Sequence, residues 1–190
     1  MLYDVILFLK NALNSYLKLG GSPQDSQEDP VVFPDRQASD GVSFKLGAIS
    51  ILLLNLEQES ILRPPDLYTK AMPDGSVRRV QPEIKLNLYV LFVANYQQYD
   101  DSLRNLSSII QYFQSHRLFT QLDTPELGDN IEQLVVELVT LSFSEQNEIW
   151  GALRAHYKPS ILYKVKMVVF QDQAPKEMQG ITETVIRASA

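Results

Sequence analysis

One segment, from Ile84 to Val93, constrains the fold more than any other, because it is typical of a strand that is covered on both faces. Residues at alternate positions of a strand point to opposite faces of the sheet. One alternate set is apolar throughout, namely Ile84, Leu86, Leu88, Val90 and Phe92. The other set begins polar and becomes apolar midway, namely Lys85, Asn87, Tyr89, Leu91 and Val93. The segment therefore predicts a central strand with packed layers on both sides of part of the sheet.

Two helices are predicted around this strand. The first has apolar residues at helical spacing and stops before Gly20, its stripe being Val5, Leu9, Ala12, Leu13, Tyr16 and Leu17. The second begins near Asp100 and Asp101, either of which can cap it. Its expected stripe is Leu103, Leu106, Ile110 and Phe113.

Further strands are predicted at 42–56, 130–141 and 161–169. Ser142 and Glu145 have the spacing of a capping box, so a third helix is expected to start there and to end before Pro159. The order of these elements predicts an α+β fold with a mixed, mostly antiparallel sheet and packed helices.

The chain is expected to form one domain over residues 1–172. A loop at 20–41 interrupts it, with Val31–Phe33 as a short edge strand between prolines. A hairpin at 68–82 is predicted from the turn dipeptide Asp74-Gly75. Residues 173–190 form a polar linker and a C-terminal strand-like arm.

Composition excludes several classes of protein. The net charge of −6 and the pI near 4.9 argue against a nucleic-acid binder, which needs a basic surface, and against binding to an anionic membrane. The chain has no cysteine, which excludes disulfides and thiolate zinc sites. The N-terminus lacks the pattern of a signal peptide, and no apolar run is long enough to span a membrane, so we expect a soluble, cytoplasmic protein.

The sequence contains no catalytic constellation, and we assign no catalytic, cofactor-binding or metal-binding residue. The glycines form no phosphate-binding motif, and GxSxG and HExxH are absent. His116 and His156 each fall near the end of a predicted helix, where an imidazole can hydrogen-bond to free carbonyl groups. Glu57 and Glu59 share one strand face and are expected to be solvated.

Other residues are candidates for contact. Leu7 and Phe8 fall outside the stripe of the first helix, so its second side is covered either within the domain or by another subunit. The remaining interface candidates are Arg78 and Arg79 on the hairpin and Ile181, Val185 and Ile186 in the arm. The expected structural anchors of the third helix and the following strand are Trp150, Leu153, Tyr157 and Pro159.

Two long segments carry a family resemblance. "PEIKLNLYVLFVANYQQYDDSLRNLSSIIQYFQSHRLFT" and "IEQLVVELVTLSFSEQNEIWGALRAHYKPSILYKVKMVVF" resemble the N-terminal domain of the cap, or tail-terminator, protein of contractile injection systems of the antifeeding-prophage and virulence-cassette type. The starting segment "MLYDVILFLKNALNSYL" and "ILLLNLEQE" fit the same family. The resemblance covers most of residues 1–172 and is weaker for Ser22–Asp40 and the arm.

The resemblance implies a structural role in a phage-tail-like particle and a fold like that of phage tail terminators. Such caps form a hexameric ring on the distal end of the inner tube, contact the last ring of the sheath and end polymerisation. The implied partners are other copies of the chain, the inner tube protein and the sheath protein, and for some members a second cap or a membrane-anchoring protein. The resemblance implies no catalytic residue in this sequence.

Two alternatives from other classes stay open at this point. One is a small hydrolase or transferase that uses His156 or His116, which requires both histidines near one pocket. The other is a monomeric adaptor that binds a peptide by strand addition.

Overall fold

The computed structural model describes most of the chain, in residues 2–20, 28–36, 41–59, 69–71, 77–79, 84–121, 124, 127 and 131–169. Three helices lie in these residues, namely α1 (Leu2–Gly20), α2 (Tyr99–Ser115) and α3 (Phe143–Leu153). The strands of the main sheet are β1 (Val31–Val32), β4 (Ala48–Gln58), β7 (Ile84–Asn95), β8 (Leu118–Thr120), β9 (Ile131–Val139) and β10 (Ser160–Val169). Two small antiparallel ribbons pair β2 (Asp35–Arg36) with β3 (Val42–Ser43), and β5 (Thr69–Ala71) with β6 (Val77–Arg79).

The main sheet has six strands in the spatial order β1–β4–β7–β10–β9–β8. Only β1 and β4 are parallel, and all other neighbours are antiparallel, which confirms the mixed, mostly antiparallel α+β fold. β7 lies in the interior between β4 and β10, as its two apolar faces predict. Leu88 and Phe92 on one face and Val93 on the other are all fully buried.

α1 and α2 cover one face of the sheet and form the larger core with it. Val5, Leu9 and Leu13 of α1 are fully buried there, as their spacing predicts. Aromatic rings fill the centre, because Phe92 of β7 lies 5.9 Å from both Phe113 and Tyr163 between ring centroids. Burial raises the pKa of Tyr163 to about 12, so its phenol stays neutral in this core.

α3 covers part of the opposite face and forms a second, smaller core. The alternation of β7 separates the two cores, since Leu88, Val90 and Phe92 belong to the first and Leu91 and Val93 to the second. Trp150 is 6% exposed and meets Phe44 edge-on at 5.9 Å between ring centroids. The cover that the sequence predicts on both faces of β7 is therefore present, and helices supply it on each face.

A capping box fixes the start of α3, as predicted. The Glu145 N–H donates to Ser142 Oγ at 3.3 Å, and the Ser142 N–H donates to Glu145 Oε2 at 2.8 Å. These bonds pair two backbone donors that a helix start otherwise leaves unpaired. The hydrogen bonds from the Ser142 N–H and hydroxyl hold the pKa of Glu145 below its ordinary value.

α3 ends earlier than the sequence predicts. Arg154 adopts a left-handed conformation with φ of 50°, and its N–H bonds to the carbonyls of Trp150 and Gly151, which ends the helix at Leu153. Tyr157 therefore lies beyond the helix and is 61% exposed, although its ring touches Trp150 edge-on at 5.6 Å. The left-handed turn places Tyr157 outside the helix, and its role as a structural anchor stays a prediction.

The second helix also departs from the prediction in detail. Gln98 occupies the N-cap position without a side-chain bond, and Asp100 and Asp101 lie in the first turn, where their charges favour the helix dipole. The buried stripe includes Leu106 and Phe113, but Leu103 is 45% exposed. The side of α2 that faces α1 and the sheet is the buried one. Its residues are Ser102, Leu106, Ile109, Tyr112 and Phe113.

The outer edge of β1 is closed by a side chain of α1. The Val31 N–H donates to Asn14 Oδ1 at 2.7 Å, and Asn14 Nδ2 donates to the Val31 carbonyl at 3.1 Å. Asp29 adds ion pairs of 2.8 Å with Lys10 and Lys18 of the same helix. These contacts hold the short strand, which the sequence placed at 31–33, between α1 and β4.

Among the described residues, the outer edge of β4 has a neighbouring strand along only a short part of its length. β1 pairs only with Ile49 and Ser50, whereas β4 continues to Gln58. In the described ranges no other strand pairs with this side of β4. Its exposed apolar residues Leu53 and Leu56 are 37% and 41% exposed.

Candidate functional site

A groove lies between α3 and the sheet. It has a volume of about 680 Å³ and lies where α3 leaves the face of β4 and β7 uncovered. Its apolar lining includes Leu54, Val139, Leu141, Ile149, Leu153 and Leu162. Leu153 thus serves as a wall of the groove as well as packing against the second core. We call this surface, with its lining from β4, β7 and α3, the α3 groove.

Three glutamates lie in the lining of the α3 groove, namely Glu57 from β4 and Glu145 and Glu148 from α3. Tyr89 donates its hydroxyl proton to Glu57 Oε2 at 2.9 Å, which fixes this carboxylate across the β4–β7 pair. The same bond raises the pKa of Tyr89, because ionisation of the phenol would bring two negative charges together. Glu148 makes no hydrogen bond or ion pair with any residue that the structure describes, and it is exposed. The groove therefore combines an apolar floor with acidic positions open to solvent.

The two histidines do not converge on one site. His116 caps the C-terminus of α2, where its Nδ1 lies 3.0 Å from the Tyr112 carbonyl and its ring stacks on Tyr112. His156 is exposed and follows α3. Because α2 and α3 pack on opposite faces of the sheet, the arrangement does not favour the hydrolase or transferase alternative.

The candidate interface residues of α1 divide into two kinds. Phe8 is only 7% exposed and packs edge-on against Phe119 of β8 at 5.2 Å between ring centroids. Its side chain is a core residue, so the interface interpretation is wrong for Phe8, because β8 supplies the second cover of α1 within the chain. Leu7 is half-buried, and its interface role stays a prediction.

The other interface candidates lie on the hairpin and in the arm. Arg78 pairs in register with Lys70, and Arg79 with Thr69, which confirms the strand pairing on either side of the predicted turn. Asp74 and Gly75 of that turn lie outside the described residues, as do Ile181, Val185 and Ile186 of the arm and the domain boundary at 172/173. Pro159 precedes β10, and its carbonyl accepts the Ala94 N–H at 2.9 Å, which ties the entry of β10 to β7.

The described residues contain no group of three or more His, Cys, Asp or Glu side chains placed to hold a metal ion. Within the same residues, no helix combines the length and apolarity that crossing a membrane requires.

Sequence reasoning missed the α3 groove. It identified Glu57 but predicted only that it is solvated, and it treated Glu145 as a capping residue alone. The available indication was the polar start of the second face of β7, because Asn87 and Tyr89 predict that helix cover ends before the strand does. The position of that uncovered region depends on the angle and length of α3, which the sequence pattern does not specify.

Solved structures of two cap or terminator proteins are among those that share the fold. The anti-feeding prophage cap, described as the tube-terminating cap, matches with a TM-score of 0.58 and 16% identity over 96% of this chain and 61% of that chain. The sheath/tube terminator of the extracellular contractile injection system PVC, in its extended state, matches with a TM-score of 0.57 and 16% identity over 100% of this chain and 65% of that chain. This chain thus spans less than two thirds of the length of either protein. No curated protein matches by sequence.

The family relationship rests on the sequence itself. The model of the family described as the Pvc16 N-terminal domain matches residues 4–184, which is nearly the whole chain. The match confirms the resemblance carried by the two long segments from Pro82 to Thr120 and from Ile131 to Phe170. The chain belongs to the Pvc16 N-terminal domain family.

Proposed function

We propose that this protein is a structural cap of a contractile injection system, acting as a tail terminator or adaptor. It forms a ring at the distal end of the inner tube and sheath and ends their polymerisation. The observation that carries the proposal is the fold match over 96% and 100% of the chain to two proteins described as tube or sheath terminators. The family assignment supports the same role.

The surface suits a protein that works by contact. A closed ring requires a head-to-tail interface in which two different patches of each subunit meet. The edge of β4 beyond Ser50 pairs with no strand among the residues that the structure describes, so a neighbouring chain could add a strand there. The proposed partners are other copies of the chain in a hexameric ring, the inner tube protein and the sheath protein, with a second cap or a membrane-anchoring protein as a further partner. Assembly takes place in the cytoplasm, and the role needs no cofactor, no nucleic acid and no insertion into a membrane.

The experiment that tests the cap function is removal of the protein from cells that assemble the particle. Without a terminator, polymerisation of the tube has no defined end, so we expect particles with longer and more variable tubes in negative-stain images. Supplying the wild-type protein from a plasmid should restore a uniform length. Uniform tubes in the absence of the protein would contradict the proposal.

The C-terminal arm is proposed as a strand donor. Residues 181–187, "ITETVIR", are rich in β-branched residues, and a polar linker connects them to the domain. Ile181, Val185 and Ile186 would add this segment to a sheet of a neighbouring cap, sheath or tube subunit.

Deleting Gln179–Ala190 should therefore reduce the fraction of capped particles while leaving the melting temperature of the purified protein unchanged. The arm contributes contacts between subunits in this proposal and none to the core. Electron microscopy of the particles and a thermal melt of the protein measure the two effects. Normal caps and lengths with the shortened chain would exclude the arm as a donor, and a lowered melting temperature would identify it as the domain's own edge strand.

A further inference from the structure

The α3 groove combines two kinds of surface, an apolar floor and carboxylates that are open to solvent. We propose that it is a docking site for a basic, amphipathic segment of a partner protein, in which an arginine or a lysine stands beside apolar side chains. The inference goes beyond the proposed function, because such a segment can bind the purified chain whether or not the chain ends a tube. It names one contact surface and the chemistry of its occupant.

One wall of the groove is a continuous face of α3. Its lining residues have the spacing i, i+3, i+4, i+7 and i+8, which places side chains on the same face of a helix. They are Glu145, Glu148, Ile149, Ala152 and Leu153. The two carboxylates come first along the helix and the apolar side chains follow. A segment that lies along this wall therefore meets negative charge toward one end and an apolar surface toward the other.

The sheet side of the groove holds a carboxylate in a fixed orientation. The Tyr89 hydroxyl donates to Glu57 Oε2 at 2.9 Å, and Asn55 Nδ2 donates to Glu57 Oε1 at 3.5 Å. Glu57 remains exposed to solvent. Because these bonds already orient the carboxylate, a cationic partner binds it with a smaller loss of side-chain entropy.

The charge of the groove selects a basic occupant. Among the described residues that line it, three are acidic and none is basic. Lys164 lies outside the lining, with its Nζ 5.8 Å from the centre of the Tyr89 ring, and offsets only part of the negative charge. A nucleic acid or an acidic peptide would bring charge of the same sign into this site, which disfavours binding.

The size of the groove fits a short segment of chain. Its volume of about 680 Å³ lies within the range of roughly 300–1,000 Å³ that is typical of ligand sites. At a rise of about 1.5 Å per residue, the wall from Glu145 to Leu153 is about 12 Å long, which is close to the span of roughly four extended residues. The occupant is therefore a short stretch of a partner chain.

Basic side chains suit both parts of the lining. Lysine and arginine carry a charged head on an apolar stem, so the stem can lie on an apolar surface while the head contacts a carboxylate. Leu54 and Leu153 provide such a surface in the same groove as Glu57 and Glu148. Apolar neighbours of the basic residue in the occupant would cover the rest of the floor.

The test measures binding of defined peptides to the purified full-length chain. Three fluorescein-labelled octapeptides serve as probes, and they alternate valine with arginine, valine with glutamate, and serine with arginine. Fluorescence anisotropy should show that the valine–arginine peptide binds at least about tenfold more tightly than either of the others, because it alone matches both the charge and the apolar floor.

A charge variant tests the role of the carboxylates. Glu57→Gln combined with Glu148→Gln should weaken binding of the valine–arginine peptide by roughly 2- to 30-fold, the expected loss for two solvent-accessible ion pairs. The matched control combines Asp100→Asn with Glu132→Gln. It removes the same amount of charge at exposed positions outside the groove and should leave the affinity unchanged.

A steric variant tests the location of the peptide and does not depend on how well the charge variant folds. Ala152→Trp fills the groove from an exposed position of α3 and should abolish binding. Asn147→Trp introduces the same side chain at an exposed position of the same helix outside the lining, and it should bind the peptide normally. Thermal melts confirm that each variant is folded.

The results also distinguish other occupants and the cap function. No binding of the valine–arginine peptide, equal binding of all three peptides, or binding that survives Ala152→Trp would each overturn the inference. Dimers of the purified chain that Ala152→Trp abolishes in sedimentation velocity would identify a second copy as the occupant and overturn the partner segment. Uniform tubes in cells that lack the protein would contradict the cap function and leave the peptide measurements unaffected.

Discussion

Replacing Trp150 with alanine is expected to lower the free energy of unfolding by about 3–5 kcal/mol. The indole is 6% exposed and fills the smaller core, where it meets Phe44 edge-on and packs among Leu91, Val93 and Leu162. Truncation removes this buried apolar surface and leaves a cavity, because the strands of the sheet cannot move to close it. Chemical denaturation of the two purified proteins measures the difference.

Phe143 provides the matched control for Trp150. It lies on the same helix, is also aromatic, and is 92% exposed, so Phe143→Ala should change the stability by less than about 0.5 kcal/mol. If Trp150→Ala leaves the stability unchanged but abolishes particle capping, Trp150 is an anchor for another subunit, and the assignment of the second core is wrong.

Replacing Asn14 with leucine is expected to destabilise the protein by roughly 2–6 kcal/mol, from about 1–3 kcal/mol for each buried polar group left without a partner. The side chain is 6% exposed and bonds to both the N–H and the carbonyl of Val31. Leucine has a similar size but pairs with neither group. The β1 segment should then separate from α1, although Asp29 still pairs with Lys10 and Lys18.

Asn11 provides the matched control for Asn14. It lies on the exposed side of the same helix, so Asn11→Leu should be neutral or slightly stabilising, because leucine favours a helix more than asparagine does. Denaturation curves give both free energies, and hydrogen exchange at the Val31 amide reports the local effect. Equal stability of the two variants, with continued protection of that amide, would show that the Asn14 bonds do not hold the sheet edge.

These two changes would also act on assembly in different ways. Loss of Asn14 opens the edge of β1, which adds a free strand edge beside the open part of β4. Free edges promote pairing with other chains, so the Asn14→Leu variant should aggregate more readily than the Trp150→Ala variant at equal stability. In the native protein, the Asn14 side chain occupies the backbone groups of Val31 that an added strand would need.

The sequence by itself determined those helices and strands that a local pattern of residues specifies. The alternation of Ile84 to Val93 predicted a central strand, and the strand lies between β4 and β10 with both faces covered. The Ser142–Glu145 spacing predicted the start of α3, because both bonds of a capping box lie within four residues. The turn dipeptide Asp74-Gly75 predicted a hairpin at 68–82, and within it residues 69–71 pair with residues 77–79. The family resemblance followed from the same segments, since the core strands and helices carry most of its pattern.

The tertiary structure alone decided which side chains are covered by distant parts of the chain. Phe8 is a core residue because Phe119 packs on it, and 111 positions separate the two, so no local pattern of α1 could reveal the contact. Tyr157 is exposed because Arg154 turns the backbone into the left-handed region three residues earlier. The α3 groove lies where the cover by α3 stops near Tyr89, at the point where the second face of β7 changes from polar to apolar. Periodicity reports that a face is buried, whereas the identity and extent of its cover depend on packing between elements far apart in the chain.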